Sequence, residues 1–201
     1  MTTPTPNESA FSRGAADPGC YFVGVASWDA DAKTTHPLDF RLVHNTFVTM
    51  FWRSSLLGET AGWLRSHGYE VAEFDAGSWA SVDDMLDDLA ERLQFPGYFG
   101  RNLDALNDCM RDVASGEYGW HAGATGLVIV LSAFDTFAAV DRTTAQIMLS
   151  IFADQARSAL LVGNRLICLV QSNDPQLSFE PVGAMPVLWN DAELLNSSRG
   201  L

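Results

Sequence analysis

Apolar positions along the chain fall into short blocks that switch between two periods. Residues 21–27 (YFVGVAS), 38–44 (LDFRLVH) and 46–52 (TFVTMFW) have the β-branched, aromatic and alternating character of strands. Residues 54–68 change period: Leu57, Ala61 and Leu64 recur at helical spacing, and Gly68 suits the position just past a helix end. Residues 69–74 (YEVAEF) alternate again. A strand–helix–strand run over 46–74 predicts a parallel pair joined by a right-handed crossover.

The next block is the most regular. Val82, Met85, Leu86, Leu89 and Leu93 make one stripe over 78–95, with Ser81 and Asp84 spaced as a capping box. Asp83, Asp84, Asp87 and Asp88 crowd its N-terminal half, where the helix dipole favours negative charge. Pro96 ends the pattern, and Gly97 and Gly100 loosen the connection after it. A second helix starts near Asn102, with Leu103, Leu106, Met110 and Val113 inward and Gly116 at its end. Residues 126–134 (GLVIVLSAF) form the continuous apolar run of a strand buried on both faces. A helix over 144–164, a strand over 165–172 and a short edge strand within 186–190 complete the reading. The alternation gives an α/β fold with a small, mainly parallel sheet packed on helices.

Composition narrows the class. An apolar content of 47%, with six Trp and twelve Phe in 201 residues, fills a sizeable core and argues against disorder. No apolar run reaches the roughly 20 residues of a membrane span, and residues 1–19 carry no signal-peptide pattern, reading as a flexible tail. Cys20, Cys109 and Cys168 are too few and scattered for a disulfide framework, which fits a reducing, cytoplasmic setting. The net charge of −13 is unevenly spread: residues 69–113 hold eleven acids against three bases. That field repels nucleic acid and attracts basic surfaces; an acidic excess also simply aids solubility.

Common catalytic spacings are missing. There is no Cys-x-x-Cys, His-Glu-x-x-His, phosphate-binding lysine loop or Gly-x-Ser-x-Gly elbow. His36, His44, His67 and His121 are far apart and read as surface residues. Cys109 is flanked by acids, which oppose thiolate formation, so it reads as a packed side chain. Neither an enzyme nor a cofactor or metal site finds positive support.

One conflict stands out. Asp104 and Asp108 are four apart on the helix after the aromatic–glycine loop, a like-charge spacing that costs about 0.2–0.5 kcal/mol. The stretch FPGYFGRNLDALNDCMRDV (95–113) contains Tyr98-Phe99-Gly100, then Asn102-Leu103-Asp104-Ala105-Leu106, then Asp108-Cys109. In this it resembles the barstar family of intracellular ribonuclease inhibitors, and element order agrees over 69–172. The resemblance implies a barstar-like domain at 69–172; residues 20–68 read as a β/α extension joining the same sheet, and 173–201 as an irregular C-terminal segment with the edge strand. It implies that Tyr98, Gly100, Asn102, Leu103, Asp104, Asn107, Asp108, Arg111 and Asp154 meet a protein partner. That partner would be a secreted or toxin-type ribonuclease, blocked without catalysis, cofactor, membrane or direct nucleic-acid contact. Asp108 would stand in for an RNA phosphate, Asp104 would meet the base-binding loop, and Tyr98 would lie flat on the enzyme. Asn107 replaces a tryptophan of compact barstar, and Arg111 adds a positive charge one turn past Asp108. The alternative is a barstar-fold interaction or immunity module against a toxin that is not a ribonuclease, or another basic partner.

Overall fold

Residues 36–201 are described by a computed structural model of the chain; the strand expected at 21–27 and the tail at 1–19 lie outside the described residues. Five strands form one sheet in the order β2-β3-β4-β1-β5, every neighbouring pair parallel. They are β1 (Val48–Phe51), β2 (Glu70–Asp75), β3 (Leu127–Ser132), β4 (Leu166–Gln171) and β5 (Leu188–Trp189). β3 and β4 lie inside the sheet and are almost wholly buried, which is why their sequences are unbroken apolar runs.

Helices cover both faces. On one, α1 (Leu38–Val43) and α2 (Ser54–Ser66) bury Leu42, Leu57, Ala61 and Leu64 against Val128, Val130, Ile167 and Leu169. On the other, α3 (Val82–Arg92), α4 (Leu103–Ser115), α5 (Phe134–Val140) and α6 (Arg142–Leu161) enclose the larger core, with Met85, Leu89, Leu106, Met110, Phe137 and Phe152 fully buried. Alternate residues of β3 and β4 feed the two cores, as the pleat requires.

Three expectations need correction. Residues 38–44 form a helix, not a strand. The Leu-Asp-Phe-Arg-Leu alternation is only five residues long, and Pro37 with Asp39 in the first turn starts a helix; Phe40 stays exposed while Leu42 is buried. β1 and β2 are parallel but not paired, since β3 and β4 lie between them and β1 adds beyond β4. Phe134 does not extend β3 but opens the unforeseen α5, after Ala133 takes a left-handed backbone (φ 48°). In α3, Ser81 caps the helix as expected, its Oγ accepting from Asp84 N (3.2 Å), while the return bond reaches one residue further back than in a capping box: Asp84 Oδ2 accepts from Ala80 N (3.0 Å). The helix ends at Arg92, ahead of Pro96, with Gln94 left-handed (φ 57°).

Candidate functional site

The loop between α3 and α4 is fixed at both ends. Phe95 N donates to Ala90 O (2.9 Å), and Phe99 N donates to Pro96 O (2.9 Å), closing a turn over 96–99. The rings of Phe95 and Phe99 meet nearly edge to face at 5.0 Å, and Phe95 also meets Tyr118 at 6.2 Å. Two aromatics of the loop therefore anchor it to the core. The third, Tyr98, is pushed outward and is 81% exposed. Arg101 has a left-handed backbone (φ 49°) and pairs with Asp87 at 2.6 Å, tying the loop back to α3. Gly100 leaves little room for a side chain: a Cβ there would lie 3.3 Å from Asn102 Nδ2 and 3.4 Å from Ala105 Cβ.

α4 is a well-terminated platform. Asn102 caps it, its Oδ1 accepting from Ala105 N (2.8 Å) while its Nδ2 donates to Gly100 O (3.1 Å). Gly116 ends it in the left-handed region (φ 82°). Trp120 Nε1 donates to Val113 O (2.8 Å), and Asn164 Nδ2 donates to Ala114 O (2.9 Å), satisfying carbonyls that the helix end leaves open. Leu106, Cys109, Met110, Val113 and Ala114 are buried, and Leu103 packs partly buried against the same core.

The opposite face carries the charges. Asp104, Asp108 and Arg111 are exposed. Arg111 Nη2 lies 2.7 Å from Asp108 Oδ1, so the like-charge conflict read from the sequence is partly relieved within the helix. Asp104 has no hydrogen-bond or ion-pair partner for its side chain among the described residues. Asn107 turns sideways: its Oδ1 accepts from Gln155 Nε2 (2.9 Å), an amide buried within α6. Asp154, the next residue along from Gln155 toward the N-terminus, pairs with Arg157 at 2.6 Å. The Asn107–Gln155 bond thus sets the α6 position beside the acidic face of α4.

Gln155 was not singled out by sequence reasoning. Its signal is a lone amide on the stripe of Ile151 and Ala159, all three buried. Three of the four aspartates of α3 also have work inside the molecule: Asp84 in the cap, Asp87 with Arg101, and Asp88 accepting from Trp79 Nε1 (2.9 Å) and pairing with Arg92 (3.2 Å). Among the described residues, no group of three or more His, Cys, Asp or Glu could hold a metal ion, and no helix is long and apolar enough to cross a membrane. Cys109 is buried; burial pushes its thiol pKa up, Asp112 and Asp108 add to the shift, and the Tyr118 hydroxyl opposes it. That environment suits packing rather than nucleophilic chemistry.

Comparison with known proteins bears on the same region. The family model described as Barstar (barnase inhibitor) matches residues 69–171, from just before β2 to the end of β4. A Bacillus subtilis (strain 168) protein named "Putative ribonuclease inhibitor YrdF" is 47% identical over 36 residues. The match covers 18% of this chain and 40% of that protein.

Proposed function

Since the chain belongs to the barstar family, we propose that it inhibits a secreted or toxin-type ribonuclease from inside the cytoplasm of the producing cell, as an immunity protein. In this reading, Tyr98 and the exposed face of α4 cover the enzyme's basic active site. Asp108 takes the place of an RNA phosphate against the catalytic cations, and Asp104 meets the loop that holds the base. Gly100 and Asn102 set the angle at which the helix is presented, Leu103 supports it from below, and Asn107 and Asp154 border the contact. Inhibition is by occlusion and charge, with no reaction on this chain.

The observation that carries the reading is the pairing of an 81% exposed tyrosine with two exposed aspartates on one capped helix whose other face is buried. A site built to bind RNA is a basic concavity, and a rigid acidic ridge complements it in shape and charge. Rigidity matters because ordering a loop on binding detracts from affinity. Here the aromatic anchors, the Arg101–Asp87 pair and the Asn102 cap do that ordering in advance. The test is capture of the partner on immobilised protein from the source organism's lysate and medium, followed by a ribonuclease assay on what is captured. Stoichiometric loss of activity on adding the free protein supports the reading; a captured ribonuclease that stays fully active overturns it.

A second reading, a basic partner that is not a ribonuclease, draws on two side chains. Arg111 engages Asp108, and Asn107 is committed to Gln155, so this face offers neither a large central aromatic nor two wholly free acids. In that case the captured protein has a basic site but no activity on RNA.

A further inference from the structure

The last twelve residues are held to the rest of the molecule in an unusual way. Within 190–201 the buried side chains are those of Glu193 and Arg199, both charged. The large apolar residues there, Leu194, Leu195 and Leu201, are 52%, 68% and 46% exposed. Apolar burial therefore contributes little to holding this segment, and polar contacts must do it.

Those contacts converge on the junction of β1 and α2. α2 starts after Arg53 with no side-chain cap of its own. Glu193, 140 residues from Arg53 in sequence, instead holds the two backbone N–H groups just ahead of the helix's first turn. Its Oε2 accepts from Trp52 N (2.8 Å) and Asn190 Nδ2, and its Oε1 accepts from Arg53 N (3.0 Å) and Arg53 Nε (2.9 Å). Each carboxylate oxygen takes two donors, at the end of a helix whose dipole favours an anion. Arg199 ties the segment both to itself and to its surroundings: it donates to the carbonyls of Glu193 and Leu194 and to Asn196 Oδ1 within the segment and to the carbonyl of Pro175 outside it, with its guanidinium 4.5 Å above the Trp189 ring. The segment lies beyond residue 171, where the match to the barstar model ends.

We propose that residues 190–201 form a releasable clasp over the β1–α2 junction, latched by the Glu193 carboxylate. Neutralising that carboxylate frees the segment and leaves the sheet and its helices folded. All four groups around the carboxylate are donors, so a neutral amide in its place would turn its own N–H groups toward at least one of them. The core does not depend on the segment, because neither main apolar cluster includes a residue of 190–201. The charged groups surrounding the latch are Arg53 at the start of α2, Asp191 and Arg199 in the segment, and Arg41 of α1, which pairs with Asp191 at 3.2 Å. Uncharged neighbours are Trp52, just after β1, and Gln171 at the end of β4, with Gln171 Nε2 donating to Trp52 O (3.2 Å).

Amide hydrogen exchange on the 201-residue chain tests the clasp without any partner. In Glu193→Gln at neutral pH, the amides of residues 193, 198 and 201, which donate to Asn190 O, Leu195 O and Asn196 O within the segment, should lose protection at least tenfold, with β2, β3 and β4 amides unchanged. In the wild type, the same three amides should lose protection on acidification before the strand amides do. Unchanged protection in Glu193→Gln overturns the proposal, and so does loss that spreads equally to the strands. If Glu193→Gln does not fold, the wild-type acid series decides by the same criterion.

Discussion

Asp108 and Arg111 share one ion pair on an exposed helix face, and the two residues pull the expected behaviour in opposite directions. An exposed pair of this kind contributes about 0.2–1 kcal/mol to stability. Replacing Asp108 removes that gain and also removes its repulsion with Asp104, so Asp108→Asn should leave stability within about 0.5 kcal/mol. In the proposed complex the same change would leave partner cations without an acceptor. Losing a hydrogen bond to a charged group costs about 1.5–3 kcal/mol, or roughly 10- to 150-fold in Kd. Urea denaturation and a binding titration on the same variant check both halves. Arg111→Ala frees the carboxylate, and association with a basic partner should quicken, with a steeper dependence on ionic strength; stopped-flow mixing over a salt series reads this directly. The acids of this face were legible in the sequence because two aspartates at that spacing break a local rule. Their internal partner was less so, since an arginine three residues on reads equally as a neighbour or as a specificity change. The Asn107–Gln155 bond was out of reach because it joins residues 48 apart through a fold that had first to be known.

The elements that present the site were largely readable. The caps of α3 and α4 announce themselves as Ser81-x-x-Asp84 and Asn102, and both close as side-chain hydrogen bonds. Losing such a cap costs about 1 kcal/mol; Asn102→Ala should lower unfolding stability by that amount and blunt the helix start that carries Asp104. Thermal and urea unfolding measure the first effect, and amide exchange at residues 104–106 the second. β3 and β4 were legible as buried strands because their apolar runs have no polar interruption. α1 is not distinguishable from a strand in sequence because five alternating residues fit a turn of helix as well, and Leu42 is its one buried position. α5 was hidden because its first residue, Phe134, continues the hydrophobic run of β3 in sequence while the chain bends at Ala133. Strand order was equally hidden: periodicity marks β1 and β2 but says nothing of the two strands that come between them.

At the scale of the whole molecule, charge sets both stability and encounter. Burial pushes the Glu193 carboxyl up, but the donors from Arg53, Trp52 and Asn190 outweigh it and hold its pKa below the ordinary glutamate value. Burial likewise opposes, and the His121 contacts outweigh, in lowering Glu70. Asp141 is also lowered, chiefly by the Thr144 amide and hydroxyl at the start of α6. A carboxyl with a depressed folded pKa stabilises fully above its unfolded value and loses that stabilisation as pH falls through the folded one. Stability should therefore be flat near neutrality and decline from about pH 4–5 downward, as urea midpoints across the acid range would show. With a net charge of −13, eight units of it within residues 69–113, the molecule should also approach a basic partner faster at low salt. The measurement that bears most directly on the inhibitor assignment is titration of the captured ribonuclease with wild type and with an Asp104→Asn/Asp108→Asn double variant of unchanged fold. Tight one-to-one inhibition by the wild type, weakened at least 100-fold in the double variant, is the expected result. Equal inhibition by both proteins would contradict the assignment of this acidic face to the enzyme's active site.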